Sequence, residues 1–206
     1  MAKNNSKEHS RSNAKTKEIL AGAMQEFLAH GYAAASMDKI AKAAQVSKAT
    51  IYSHFGDKEK LFNAVIQDLA KDKFNAVMSL QEEQSLEQDP KQVLSQIATN
   101  MLARAKEDQT FQNFMRIILG ESGRFPELAQ TYVRNLAKPA INTLDHYLRS
   151  HPSLKLDDSE ATARVMIGTL VYFVILQEML HGKEILPLEN DRLVDTLTDL
   201  IVKYQP

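Results

Sequence analysis

The sequence contains no cysteine and no tryptophan, and only seven of its 206 residues are glycine and six are proline. The lack of cysteine excludes disulfides, thiolate nucleophiles and zinc or iron–sulfur sites built on cysteine. It is also typical of a reducing compartment. The first seventeen residues are polar and of mixed charge, without the apolar stretch of a signal peptide. We therefore expect a cytoplasmic protein.

Long apolar runs are also scarce. The longest, Val165 to Leu176, is about twelve residues, whereas a helix that crosses a bilayer needs roughly twenty, so we expect no membrane-spanning segment. Elsewhere apolar residues recur at spacings of three and four, and alternating strand-like runs are nearly absent. The pattern predicts an all-α protein of about nine helices.

The net charge of −1 hides an asymmetry along the chain. Residues 1–60 contain ten Lys and Arg against six Asp and Glu, whereas residues 61–206 contain fifteen against twenty. A basic N-terminal part on an acidic remainder indicates that only the N-terminal part meets a polyanion.

Three regions follow from the composition and the turn signals. Residues 1–12 are predicted to form a flexible arm, residues 13–60 a basic N-terminal head, and residues 61–206 a helical body. The predicted helices cover residues 13–30, 36–44, 47–55, 57–80, 90–106, 110–119, 126–149, 159–181 and 190–204. The seventh of these is expected to bend at Pro139, because proline cannot donate a backbone hydrogen bond.

The segment Ser36 to Phe55 carries the functional signal. Ser36 and Ser47 can each cap a helix of about eight residues, and a three- to four-residue connection between such helices is typical of a helix-turn-helix. On the second helix Ile51 and Phe55 share one face, which we expect to be buried. The exposed face is slim enough to enter a DNA major groove about 12 Å wide. It presents Lys48, Ala49, Tyr52 and Ser53.

Helix N-termini in this region offer phosphate sites. Their free N–H groups and positive dipole ends attract anions, here at Ser36, Ser47 and Asp57. Lys58 is electrostatically unfavourable at a helix start, a misfit that a phosphate partner would explain. The spacing and polarity of residues 36–58 therefore favour DNA binding.

Several segments of residues 15–65 resemble the DNA-binding domain of TetR-family (TetR/AcrR) transcriptional regulators. They are Ile19-Leu20, Phe27, His30-Gly31-Tyr32, Ser36–Ala41, Val46–Phe55 and Lys58–Phe62. The segment Arg116–Leu128 is similar to the C-terminal domain of the AefR-like branch of that family.

The resemblance implies a homodimeric repressor that binds a palindromic operator through residues 47–55 and is released by a small apolar or amphipathic effector. It implies base or adjoining backbone contacts for Lys48, Ala49, Tyr52 and Ser53. It implies phosphate contacts for Ser36, Thr50, Tyr52, His54 and Lys58. The family usually has glycine where this chain has Gln45. If that position requires a positive φ, glutamine there costs on the order of 1 kcal/mol.

The body is expected to provide both a dimer interface and an effector pocket. Helices 159–181 and 190–204 carry apolar stripes suited to a four-helix interface between two copies. Methionine and aromatic side chains suit an adaptable apolar pocket. The candidates for its lining are Phe74, Met78, Met101, Phe114, Ile118, Tyr172 and Phe173.

The sequence predicts no metal site and no cofactor, since no histidine pair has a ligand spacing. Glu121 and Arg124, three apart, are expected to form an ion pair. Two other functions remain open at this point. One is a helical protein–protein adaptor with an incidental basic head. The other is a helical enzyme, although the chain lacks a nucleophile with a base at suggestive spacing and a phosphate-binding glycine loop.

Overall fold

The structure is a computed structural model that describes residues 2–77 and 86–203, with side chains from 13 to 70 and from 86 to 203. Every regular element in this part of the chain is helical, which confirms the all-α prediction. The helices are α1 (Ala2–Ala34), α2 (Met37–Ala43), α3 (Lys48–Phe55), α4 (Lys58–Val77), α5 (Pro90–Glu107), α6 (Gln109–Glu121), α7 (Pro126–Tyr132), α8 (Lys138–Ser150), α9 (Ser159–Val174) and α10 (Asn190–Lys203).

Two helix boundaries differ from the predicted ones. The helix predicted over residues 126–149 is divided into α7 and α8 by a π-helical turn, Val133–Ala137, just before Pro139. Proline has no N–H to continue an α-helical ladder, so the wider turn forms where the bend was expected. At the other end of the chain, α1 begins at Ala2, and the segment predicted as a flexible arm is helical from that residue.

The chain divides into two units. The head unit comprises Met1–Leu69 and Asn113–Tyr132, and the body unit comprises Ala70–Gln112 and Val133–Pro206. The division therefore falls beyond the predicted boundary at residue 60, and it adds the end of α6 and α7 to the head.

Aromatic packing explains why α6 belongs to the head unit. The ring centroid of Phe62 lies 4.9 Å from that of Phe27, 5.0 Å from that of Tyr32 and 5.0 Å from that of Phe114. All four side chains are buried. Burial raises the pKa of Tyr32 to about 12. Because aromatic side chains bury large areas, this cluster joins α1, α4 and α6 in one core.

The turn between α2 and α3 is closed by two backbone hydrogen bonds. Val46 N donates to Ala41 O over 3.0 Å, and Gln45 N donates to Lys42 O over 3.2 Å. This is the Schellman arrangement, which places the residue after the helix cap in the left-handed region. That residue is Gln45, with φ 54°, so the positive φ considered from the sequence is present at a non-glycine residue.

The body unit has its own core between α5, α8, α9 and α10. Leu94, Leu144, Met166 and Leu170 are almost fully buried in it. At its surface Lys91 of α5 pairs with Asp199 of α10, Nζ to Oδ1 at 2.7 Å. The core and this ion pair connect α5 with α10, the last helix of the body unit.

One helical stretch of the body is unusually apolar and exposed. Residues Ser159–Met179, which are α9 and the π-helical turn that follows it, have a mean hydropathy of 1.4 in their most apolar 18-residue window. By length and composition alone this stretch could cross a membrane, a property that core helices of soluble proteins also have. Only 22% of that window is buried within the chain, and its exposed side chains include Val165 and Tyr172.

Candidate DNA-binding surface and effector cavity

Helix α3 has the two faces that its sequence predicts. Ile51 is fully buried and Phe55 is half-buried against the head core. Lys48, Ala49, Tyr52 and Ser53 are exposed. The exposed face therefore offers a cation, a phenol and a hydroxyl around one small side chain, groups that can reach base edges and phosphates.

Serine side chains cap the first turns of α2 and α3. Ser36 Oγ accepts from Lys39 N at 3.3 Å, and Ser47 Oγ accepts from Thr50 N at 3.1 Å. The first four N–H groups of a helix have no intrahelical partner, and one serine cap satisfies a single one of them. Both N-termini thus keep backbone donors that could meet a phosphate.

The N-terminus of α4 differs because its cap is a carboxylate. Asp57 Oδ1 accepts from Lys60 N at 2.8 Å. That backbone hydrogen bond and the Lys60 side chain hold the pKa of Asp57 below its ordinary value. A charged carboxylate repels phosphate, so α2 and α3 offer better anion sites than α4.

Lys48 is engaged with a neighbour on α2. Its Nζ lies 2.8 Å from Asp38 Oδ2, and both side chains are exposed. The hydrogen bond to Asp38 raises the pKa of Lys48. Asp38 is not among the residues that the sequence predicts for this surface, although an acidic residue in the first turn of α2 was the available signal.

His54 and Ser53 have partners inside the head. His54 Nδ1 lies 3.4 Å from Thr16 Oγ1 of α1. The Ser53 hydroxyl donates to Thr50 O over 2.8 Å. Tyr52 is 45% exposed.

Lys58 has hydrogen-bond partners within the chain. Its Nζ donates to the carbonyl oxygens of Tyr32 at 2.8 Å, Ala33 at 3.3 Å and Ala35 at 3.0 Å. An ammonium group has three N–H donors, and all three have acceptors here. These carbonyl oxygens at the C-terminal end of α1 offset the unfavourable position of a lysine at a helix start, and the phosphate contact stays a prediction.

Glu121 and Arg124 are likewise placed apart from the expected ion pair. Glu121 Oε1 lies 3.4 Å from Ala33 N, near the C-terminal end of α1. The guanidinium of Arg124 lies 5.2 Å from the ring centroid of Phe125. The sequence gave no signal for the contact of Glu121, because 88 residues separate it from Ala33.

The predicted effector-pocket residues lie in different environments. Phe114 and Ile118 are buried in the core of the head unit, whereas Phe173 is buried in the body core and Met101 packs against it. Tyr172 is 62% exposed. Met78 and the side chain of Phe74 lie outside the described residues. A pocket formed by this set stays a prediction.

The body unit contains a cavity of about 150 Å³. Phe173 is the predicted pocket residue that lines it. Two lysines and three carboxylates also line this space, so it is more polar than the predicted apolar pocket. The remaining lining residues are Lys106, Gln177, Glu178, Lys183, Leu188, Glu189, Asn190 and Asp191.

Within the residues whose side chains are described, no group of three or more His, Asp or Glu side chains is placed to hold a metal ion.

Two family models match the chain. Residues 19–65 match the model of bacterial regulatory proteins of the tetR family. Residues 92–204, more than half of the chain, match the C-terminal domain of AefR-like transcriptional repressors.

Individual proteins agree with these matches. The HTH-type transcriptional regulator YhgD of Bacillus subtilis is 27% identical over 188 residues, which cover 91% of this chain and 94% of YhgD. A crystal structure from Mesorhizobium loti, described as a TetR-family transcriptional regulator, has a TM-score of 0.78 at 24% identity. The similarity covers 94% of this chain and 97% of that one. The structure of the flavonoid-responsive regulator FrrA has a TM-score of 0.74 at 27% identity, covering 93% of this chain and 96% of FrrA.

Proposed function

Since this chain belongs to the tetR family of bacterial regulatory proteins, we propose that it is a homodimeric repressor that an effector releases from a palindromic operator. It is a ligand-responsive transcriptional regulator, and its relatives are described as regulators rather than enzymes. The observation that carries the DNA-binding role is the exposed face of α3 opposite the buried Ile51. We place its action in the cytoplasm, where bacterial DNA is.

In this proposal α3 enters the major groove. Lys48, Ala49, Tyr52 and Ser53 face the bases or the adjoining backbone. The N-termini of α2 and α3 hold phosphates, since their serine caps leave backbone donors available. The phosphate-facing side chains in this proposal are Ser36, Ser47, Thr50, Tyr52, His54 and Lys58.

The exposed apolar surface of the body supports a dimer. Val165 is 59%, Tyr172 62% and Leu200 64% exposed. An apolar helix that is little buried in its own chain is stabilised when its exposed surface is buried against a partner. A second copy of α9 and α10 provides this burial through a two-fold four-helix interface. Two heads are required because one recognition helix contacts few base pairs, and dimers read half-sites one DNA turn apart.

For the effector we propose a small apolar or amphipathic molecule that binds the body unit. The matching repressor family and the flavonoid-responsive FrrA support this class. Such a molecule releases DNA only if it binds more tightly to the conformation with low operator affinity. By linkage, operator DNA must then weaken effector binding by the same factor.

A binding experiment tests the DNA-binding role. The wild-type protein selects duplexes from a randomised pool, and its affinity for the selected duplex is measured across salt concentrations. We expect a palindromic consensus and an affinity that falls steeply with salt, because phosphate contacts release counterions. Tyr52→Phe should weaken binding while the thermal midpoint stays unchanged. Failure to enrich any duplex would reject the proposal in favour of a helical protein–protein adaptor.

A second experiment tests the effector class. Flavonoids and other amphipathic compounds are titrated calorimetrically into the protein with and without the selected duplex. An inducer must bind more weakly in the presence of the duplex. Equal affinity in both conditions rejects that compound as an inducer.

A further inference from the structure

The cavity of the body unit lies where α9 ends. The helix continues into a π-helical turn, Ile175–Met179, in which Leu180 N donates to Ile175 O over 2.9 Å. A π-helix joins residues five apart, so its turn is wider than that of an α-helix. This wider turn brings Gln177 and Glu178 to the cavity that Phe173 also lines. Single π-helical turns occur frequently at functional sites.

A sharp reversal of the chain then returns Lys183 to the same cavity. His181 adopts φ 56°, in the left-handed region. A Cβ placed on Gly182 would lie 2.7 Å from Leu176 O, so no side chain fits there without a shift of the backbone. Left-handed residues other than glycine persist where their surroundings impose that conformation, and they cluster at ligand sites. Lys183 follows directly and lines the cavity.

Gln177 contributes a buried polar group. It is 6% exposed, and its Nε2 donates to Leu186 O over 2.8 Å. This bond fixes the orientation of the side-chain amide. Among the groups that the structure describes, none donates a hydrogen bond to Gln177 Oε1. Because buried carbonyl oxygens are almost always hydrogen-bonded, this oxygen is an acceptor for a ligand in the cavity.

The charged side chains around the cavity include both signs. Lys106 and Lys183 carry positive charge, and Glu189 and Asp191 carry negative charge. In the part of the chain whose side chains are described, none of these four forms an ion pair. A simple anion or cation would be repelled by two of them, whereas a ligand with one group of each sign can pair with all four.

The apolar lining and the volume limit the size of the ligand. Phe173 and Leu188 are the apolar side chains of the cavity, and its volume is about 150 Å³. A cavity of that volume can hold a molecule the size of benzene, with about six non-hydrogen atoms. The side chain of valine or leucine is smaller than benzene, so it fits beside these two residues.

We propose that this cavity is a binding site for a small aliphatic α-amino acid. The carboxylate of the ligand pairs with Lys106 and Lys183. Its ammonium pairs with Glu189 and Asp191 and donates to Gln177 Oε1, and its side chain contacts the apolar lining. This ligand is additional to the apolar or amphipathic effector proposed above, and the inference does not depend on DNA binding.

Titration calorimetry with the full-length protein tests the ligand class. The probes are L-leucine and L-valine and, for each, the matching carboxylic acid without the ammonium and the matching amine without the carboxylate. We expect one amino acid to bind per chain and to raise the thermal midpoint of unfolding. Each matching acid and amine should bind at least about tenfold more weakly, as for the loss of a hydrogen bond between charged groups.

Charge-removing variants test the location. Lys183→Met and Glu189→Gln each remove one exposed charge from the cavity, so the fold should be unaffected. We expect each to weaken amino-acid binding about tenfold. The controls Lys155→Met and Asp157→Asn remove exposed charges just before the start of α9, at its opposite end. Both should bind the amino acid like the wild type.

Three results would overturn the inference. If neither amino acid bound at millimolar concentration, the site would be refuted. A matching acid or amine that bound as tightly as its amino acid would identify a site for a single charge. Wild-type affinity in both Lys183→Met and Glu189→Gln would place the binding elsewhere. None of these measurements uses DNA, so a protein that selected no duplex would refute the proposed function and leave this result standing.

Discussion

Gly22 of α1 and Ala44 at the end of α2 are in direct backbone contact. A Cβ placed on Gly22 would lie 2.6 Å from Ala44 N and 2.8 Å from Ala44 Cα. No side chain fits at that distance without a backbone shift. Glycine, although a poor helix former, is therefore required where α2 crosses α1.

Gly22→Ala should consequently destabilise the head unit. We expect the free energy of unfolding to fall by about 2 kcal/mol, within the range typical of overpacked cores. Chemical denaturation followed by circular dichroism measures it. Gly120→Ala is the matched control: Gly120 is also helical but has nothing within 4 Å of its Cβ position. That change should be neutral or stabilise by up to about 1 kcal/mol. Equal effects of the two substitutions would contradict the close approach.

Gln45→Gly should stabilise the protein. Gln45 adopts φ 54° in the turn that precedes α3, and a left-handed conformation costs a residue with a Cβ roughly 1 kcal/mol. Part of that gain is offset by the larger entropy of glycine in the unfolded chain. We expect a net gain of about 0.5 kcal/mol in the free energy of unfolding. The control Gln25→Gly, at an exposed position in α1, should lower the free energy of unfolding. If Gln45→Gly also lowered it, the backbone strain at position 45 would be refuted.

Asp38→Asn should tighten binding to duplex DNA. The ion pair between Asp38 and Lys48 is exposed at both ends, so it adds little stability. Removing the carboxylate frees Lys48 and takes a negative charge away from the DNA-binding surface. Competition binding with the selected duplex measures the gain, and thermal unfolding should be nearly unchanged. A weaker complex would mean that Asp38 holds Lys48 in its DNA-binding position.

Lys48→Ala should alter sequence preference rather than affinity alone. From the start of α3 its ammonium can reach a guanine edge in the major groove. Binding-site selection with the wild type and the variant should then give consensus sequences that differ at one symmetric base pair. Identical consensus sequences would identify Lys48 as a backbone contact.

Local patterns in the sequence were sufficient to predict the helices of the helix-turn-helix and the two faces of α3. The serine caps at Ser36 and Ser47, the break at Gly31 and the spacing of Ile51 and Phe55 each act within a few residues. Chemistry confined to one or two helical turns can be read from spacing. The bend near Pro139 is also a local effect, because proline interrupts the hydrogen bonds of its own helical turn.

Contacts between distant parts of the chain could not be predicted in this way. Lys58 has its partners more than twenty residues earlier, and Glu121 contacts Ala33 across 88 residues. Phe114 is of the residue type expected in an apolar pocket, but its ring stacks on that of Phe62 in the head core. Periodicity shows that such a side chain is buried and does not identify the core in which it lies.

The exposed face of α9 leads to a test of the dimer. Val165, Gly168 and Tyr172 share this face, at spacings of three and four residues. Gly168 is exposed and has nothing of its own chain within 4 Å of its Cβ position. A glycine at the centre of a helix costs stability but allows the backbone of a second helix to approach closely.

Gly168→Ile therefore distinguishes an effect on dimerisation from an effect on the stability of the single chain. Within one chain there is room for the isoleucine, and its helix propensity exceeds that of glycine by about 0.5 kcal/mol, so the isolated subunit should not lose stability. Between two copies of α9 the same side chain would force the helices apart. We expect the dimer dissociation constant from sedimentation equilibrium to rise at least tenfold, and operator affinity to fall with it because both half-sites must be bound together. Gly120→Ile, in an equally open helical position of α6, should leave dimerisation unchanged. A Gly168→Ile protein that dimerises like the wild type would show that the two-fold interface lies elsewhere than on this face of α9.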